Sequence, residues 1–191
     1  MGARGGSHTV QEGSYWRRCV NSKRKIPPFP ELIAGAIRSA IHLEMRDAYS
    51  PDNPNFRRWL ETGSLDHIDF TKWRDTIGDA IARGVEFRRA RIVSEPLADY
   101  IRYEHALTQE YNVAAGERVR WLPRRQASDL ALPGNDFWVF DDRLIRFHHF
   151  AGDGSILDDE LCDEPSVIKL CISAFDAVWE RAIDHADYGP A

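Results

Sequence analysis

The sequence predicts an α+β domain: a small mixed sheet with a C-terminal hairpin, flanked by four or five helices. Three observations carry this. Apolar residues recur at helical spacing in some segments and alternate at strand spacing in others, within one chain. Two apolar runs, Phe137–Phe140 and Leu144–Phe150, are separated by Asp141-Asp142-Arg143, the length and polarity of a hairpin loop. Finally, Pro165 opens a run with Ile168, Cys171, Phe175, Val178 and Ala182 on one side, as a packed terminal helix requires.

The elements follow in order. "IPPFP" at 26–30 is a stiff boundary that permits a helix to begin just after it. Ile33, Ile37, Ile41, Met45 and Ala48 recur at close to four-residue spacing, predicting an amphipathic helix that ends near "YSPDNP". Phe56, Trp59 and Leu60 suggest a short helical turn before Gly63. A clear helix opens at Asp69 or Thr71, with Trp73, Ile77, Ala80 and Ile81 on one face and Gly84 as its left-handed cap. The period then changes. In "EFRRARIV", Arg88, Ala90 and Ile92 alternate with Phe87, Arg89, Arg91 and Val93, which suits a strand with one wet face. "SEP" restarts a helix, with Ser94 or Glu95 capping and Pro96 in its first turn, and "AAGE" ends it. "RVRWLP" reads as a second strand and "RQASDLAL" as a short helix or turn. "AGDGS" turns the chain after the hairpin, and "ILDDELC" adds an edge strand.

At 191 residues, 43% hydrophobic and 29% charged, the chain has the composition of one globular domain. No apolar run reaches the roughly 18 residues that span a bilayer, and the start lacks the apolar stretch of a secretory signal. Cys19, Cys162 and Cys171 show neither disulfide pairing nor zinc-ligand spacing. A cytoplasmic protein is expected. Residues 1–28 carry six Lys/Arg against Glu12 alone, leaving 19 bases and 29 acids from residue 29 onward. The organisation expected is a flexible basic leader, 1–28, and a single α+β domain, 29–191. The acidic body argues against nucleic-acid binding except through that leader.

No complete catalytic motif is present. His148 and His149 are neighbours on a strand, so they face opposite ways and do not share one metal ion. "HFAGDGSILDDE" places His149 and Ala151 where a calcium loop needs acidic oxygens. Neither a nucleophile elbow nor a phosphate loop occurs. No metal or cofactor is expected. The unusual feature is the polar middle segment: Arg91, Glu95, Tyr100, Arg102 and Glu104, followed by Arg120, Trp121 and Arg124. If its two strands are neighbours, guanidinium groups and carboxylates converge near Trp121 and Trp138. With Asp136, Asp141 and Asp142 these form the candidate surface for a small anionic ligand or a protein partner. A network of surface ion pairs is the alternative explanation.

"HLEMRDAY", "ARGVEFRRARIVSEPLADYIRYE", "NVAAGERVRWLPR" and "LALPGNDFWVFDDRLIRFHHF" resemble an uncharacterised actinobacterial domain-of-unknown-function family, over roughly 42–155. Its members resemble accessory proteins encoded beside XRE-type helix-turn-helix regulators. The resemblance implies a regulatory or signalling role through a transcriptional regulator, and it also singles out Ser94, Gly116, Pro123 and Phe137. A weaker similarity is to a phospholipase D-like half-domain. Those enzymes need His and Lys two residues apart, a pattern this chain lacks. The function expected is therefore a non-enzymatic accessory protein or small-ligand sensor. The alternative is an enzyme using Asp136, Asp141 or Asp142 as acid/base, with Arg91 or Arg120 gripping an anion.

Overall fold

A computed structural model describes residues 26–50 and 52–189, so most of the expected basic leader lies outside the described residues. The helices are α1 (Phe29–Gly35), α2 (Pro54–Thr62), α3 (Thr71–Ala82), α4 (Asp99–Thr108) and α5 (Pro165–Arg181). The strands are β1 (Ser39–Glu44), β2 (Glu86–Val93), β3 (Arg118–Pro123), β4 (Phe137–Phe140), β5 (Leu144–Phe150), β6 (Ile156–Cys162) and β7 (Ile183–Asp184). They form one mixed sheet in the order β6-β5-β4-β1-β2-β3-β7. Neighbours β1, β2 and β3 are parallel, and the remaining pairs are antiparallel. The α+β class, the mixed sheet, the hairpin β4–β5 and the edge position of β6 are as the sequence predicts.

One element differs in kind. The segment expected as a long helix from Ile33 to Ala48 is a two-turn helix, α1, followed by the strand β1 at the centre of the sheet. Residues four apart lie on one side of a strand as well as near one side of a helix. Ile41 and Met45 therefore satisfied both periods, and the sheet decided between them. Ile37, expected on the buried face, is 71% exposed. A smaller correction concerns α4, which starts at Asp99, after an N-cap at Ala98, rather than at "SEP".

The two sheet faces are built differently. On one, Ile41, Leu43, Ala90, Ile92, Val139 and Ile145 pack against Ile168, Cys171, Phe175 and Val178 of α5. On the other, α1 and α3 cover Ala40, Phe87, Trp138 and Phe140, while α4 covers Val93, Val119 and Trp121. Between those two apolar clusters, midway along β1 and β2, this face carries His42, Glu44, Arg89 and Arg91. The strand β2 thus has no wet face: Arg89 and Arg91 are 5% and 3% exposed.

Candidate functional site: a charged cavity in the central strands

The parallel register sets His42 beside Arg89 and Glu44 beside Arg91. The antiparallel pairings continue the first rung outward through Trp138 to Arg146. On the outer strands, His148 pairs with Asp159. Central strands flanked by parallel partners are normally apolar on both faces. Ionised side chains there are costly unless paired and hydrogen-bonded.

These are paired densely. The Arg89 Nε donates to Glu117 Oε2 at 2.9 Å and its Nη1 to Glu44 Oε1 at 2.6 Å. The Arg91 Nε donates to Glu44 Oε2, and its Nη1 to Thr108 Oγ1 at 2.5 Å. Glu117 also accepts from Trp73 Nε1 and Asn112 Nδ2, both at 2.9 Å. Gly116 precedes it at φ +98°, where a Cβ would meet Ile81 Cδ1 at 2.5 Å. Glycine is thus the residue that lets this turn deliver Glu117 to the network. Each guanidinium also lies over an indole, Arg91 4.9 Å from Trp121 and Arg89 5.2 Å from Trp138.

The charges tune one another. Burial alone would raise Glu44, but Arg89 and Arg91 outweigh it and hold the carboxyl far below its usual range. Glu104 goes the other way: burial pushes it up to about 7, against the pull of Arg91 and with help from the Glu44 charge. Burial lowers His42 well below its ordinary value, more than the Glu44 charge restores. His148 is lowered by burial too, against its hydrogen bond to Asp159.

His42 is legible to the proton. Its Nδ1 lies 2.7 Å from Arg89 Nη1, and a guanidinium only donates. Nδ1 is therefore the acceptor, and the neutral ring carries its hydrogen on Nε2, a buried atom with no partner among the described residues. Arg146 Nε and Nη1, Glu104 Oε2 and Asn112 Oδ1 are likewise buried without a hydrogen-bond partner there. These four residues line a single cavity of about 330 Å³, shared with Glu44, Arg89, Arg91, Trp138 and His148. Its rim is aromatic. Phe29 and Trp73 stack at 5.7 Å, Trp73 and Tyr111 at 4.9 Å, and all three are half-buried lining residues.

Of the residues singled out from sequence, Arg91, Glu104 and Trp138 line the cavity, and Trp121 lies directly beneath Arg91. The others lie outside this cavity, although Glu95 and Arg124 meet at a second cavity with Ser94 and Pro123. Tyr100 packs against Tyr49 and Phe56. Arg102 pairs with Asp99 on an exposed face of α4. Glu95 accepts from the Tyr188 hydroxyl. Arg120 binds Asp184 and the Trp179 carbonyl. Arg124 ties together Ser94, Asp47 and the Met45 and Ile92 carbonyls.

The three aspartates serve the frame. Asp136 accepts from Met45 N–H at 2.9 Å and the Tyr49 hydroxyl at 2.5 Å, and burial pushes it up to about 6. Asp141 accepts from the backbone N–H groups of Ile37, Arg38 and Ser39. Burial would raise it, but those bonds lower it. It thereby fastens the hairpin turn to the start of β1. Asp142 is exposed beside Arg38. None of the three lines the cavity.

His148 and His149 turn to opposite faces. His148 Nδ1 lies 2.5 Å from Asp159 Oδ1, whereas His149 Nε2 lies 3.3 Å from Glu160 Oε2. The carboxylate partner of each comes from β6, which sequence reasoning did not anticipate. It also missed His42, Glu44, Arg146, His148, Asn112 and Glu117 as site residues. The available signal was the strand face Phe87/Arg89/Arg91/Val93, where arginines are enclosed between apolar residues. Such arginines are buried, and buried arginines need carboxylates on a neighbouring strand.

Fold and site together define an α+β domain with a charged cavity built into its central strands. The chain belongs to the family described as a domain of unknown function (DUF6879), which matches residues 27–190. No curated protein matches its sequence. Among solved structures it is similar to Nuc, a phospholipase D family member from Salmonella typhimurium, at 11% identity and a TM-score of 0.48, over 81% of this chain and 86% of that one. It is similar to TrmBL2, an archaeal chromatin protein, at 15% identity and a TM-score of 0.45, over 81% of this chain and 48% of that one. Phosphatidylserine synthase from Haemophilus influenzae Rd KW20 aligns at 9% identity and a TM-score of 0.42, over 81% of this chain and 35% of that one. The chain thus spans about half the length of TrmBL2 and about a third of the synthase. No helix among the described residues is long and apolar enough to cross a membrane.

Proposed function

We propose that this protein is a small-ligand sensor that works as a regulatory or signalling accessory protein, its ligand seated in the cavity between β1, β2 and the aromatic rim. One observation carries the reading. Buried polar atoms of His42, Arg146 and Asn112, each without a hydrogen-bond partner among the described residues, belong to residues lining one cavity. A buried unsatisfied polar group costs about 1–3 kcal/mol, so a ligand that satisfies several at once gains the equivalent in affinity. Preformed cavities of about 300 Å³ and more with a few convergent polar groups are the usual form of small-molecule sites. The resemblance to accessory proteins encoded beside helix-turn-helix regulators favours a response passed to a protein partner. The enzyme alternative built on Asp136, Asp141 or Asp142 has less support, because none of them reaches this cavity.

The test is a thermal-shift screen of the full chain against a small-metabolite library, repeated with Leu107→Trp. Leu107 lines the cavity without joining its hydrogen bonds, so the larger side chain fills the space and leaves the ion pairs intact. Compounds that stabilise the wild type should fail to stabilise the variant. Hits that bind both proteins alike, or a library without hits, would overturn the reading.

A further inference from the structure

The cavity's chemistry is lopsided, and the imbalance names a ligand class. Donors without a partner among the described residues are His42 Nε2–H and Arg146 Nε and Nη1. The Nη2 groups of Arg89 and Arg91 also donate to no described residue, since the hydrogen bonds of those side chains leave from Nε and Nη1. Among acceptors, Asn112 Oδ1 has no partner among the described residues, while Glu104 Oε2 lies 3.3 Å from Arg91 Nε. Glu104 is itself a variable acceptor, with burial holding its carboxyl near neutrality. Three guanidinium groups and one imidazole N–H with spare hydrogen-bonding capacity thus belong to residues that line the space. Glu44, Glu117 and Asp159 have theirs committed to those arginines, to His148 and to neighbouring donors. Arginine's planar fork matches the paired oxygens of carboxylate and phosphate.

We propose that the cavity takes a small acid bearing a flat ring, its carboxylate or phosphate held by Arg146, His42 Nε2–H and the free Nη2 groups of Arg89 and Arg91. The ring packs on the stacked rim of Phe29, Trp73 and Tyr111. The inference rests on the cavity being a ligand site, and it adds the charge and shape of what enters. A volume of about 330 Å³ suits a ligand of one or two rings rather than a peptide or a polynucleotide.

Calorimetric titration of the full chain with benzoate, phenyl phosphate, inorganic phosphate, benzylamine and benzyl alcohol tests it. Phenyl phosphate or benzoate should bind at least about tenfold more tightly than benzylamine or benzyl alcohol, the loss expected when charge-assisted hydrogen bonds are absent. Preference between the two acids separates a phosphate from a carboxylate site. Arg146→Gln should weaken the preferred acid by about tenfold or more. Tyr111→Leu, a change at the half-buried rim, should reduce phenyl phosphate towards the affinity of inorganic phosphate. Circular dichroism melts establish that both variants fold, and Arg146→Lys, which keeps the charge but not the fork, should fall between wild type and Gln. Equal binding of benzylamine or benzyl alcohol would overturn the ligand class while leaving the cavity a binding site. So would library hits lost in Leu107→Trp when neither acid binds. A library without hits and no binding by any probe would remove both readings.

Discussion

The two faces of this sheet solve the same packing problem with opposite chemistry. Beneath α5, alternate residues of β1 and β2 present Ile41, Leu43, Ala90 and Ile92 to an apolar helix face, and the contact is made chiefly by apolar packing. One residue along each strand, the opposite face presents His42, Glu44, Arg89 and Arg91, held by a web of charge-assisted bonds. The first arrangement stabilises by removing apolar area from water. The second first loses the hydration of each ion and recovers it only while every partner is in place. A pair of well-packed apolar residues would fold at least as well. The apolar face is therefore explained by what it holds up, whereas packing alone does not account for the charged face, and the proposed ligand would.

The sharpest way to break this comparison is to remove one ion. Arg89→Met keeps an unbranched stem but leaves Glu117, whose side chain is 1% exposed, without its guanidinium. Breaking a buried pair costs about 3–5 kcal/mol, read as a fall in denaturant midpoint. The double variant Arg89→Met/Glu117→Gln should recover about 1–3 kcal/mol of the summed single losses, because a neutral amide can still accept from Trp73 and Asn112. A loss below about 1 kcal/mol for Arg89→Met would place the network among the weak surface pairs and erase the contrast between the faces.

A second, smaller effect has the opposite sign. Burial raises Asp136 from 3.8 in the unfolded chain to about 6 when folded. Between those values the folded state binds the extra proton, so its stability falls as pH rises through about 4 to 6. Above that window the ionised carboxylate costs the fold up to about 3 kcal/mol. Asp136→Asn should therefore match the wild type near pH 4 and exceed it by about 1–3 kcal/mol at pH 7–8, measured by denaturant unfolding at each pH. The depressed histidines His42, His148, His105 and His185 work in the other direction, favouring the folded state as pH rises. They are common to both proteins, so the difference curve reports Asp136 together with Glu104, which the Asp136 charge helps to raise. A difference independent of pH would show that the side chain's role lies in its geometry alone.

What could be read in the sequence divides along the same line as the two faces. The apolar face was legible: the hairpin β4–β5, the helix α5 and the strands β2 and β3 all declare themselves through one unambiguous period. The charged face was only half legible. Arg91 and Glu104 were singled out because charge is dense around them, and Trp138 because the charges were expected to converge near it. Their partners His42 and Glu44 were lost with β1, because Ile41 and the flanking Met45 fit a helix as well as a strand. His148 was weighed only as a metal ligand and set aside because His149 faces the other way, and Arg146 was not singled out. Asp159, their carboxylate, arrives from the next strand, and pairing across strands is fixed by register, which a single sequence does not display.

The mildest change probes the boundary between the faces. Arg91 and Ile92 are successive residues of β2, one in the ion-pair web and the other in the apolar core, each almost fully buried. Ile92→Val removes one methylene beneath α5 and should cost about 0.5–1.5 kcal/mol, because neighbouring core residues relax only partly into the space. If the faces are mechanically independent, the binding constant of any cavity ligand should stay within experimental error of wild type in the same variant. Interiors are close-packed and transmit strain, so a clear loss of affinity would show that α5 packing sets the position of Arg91. The α5 face would then belong to the site it was taken merely to support.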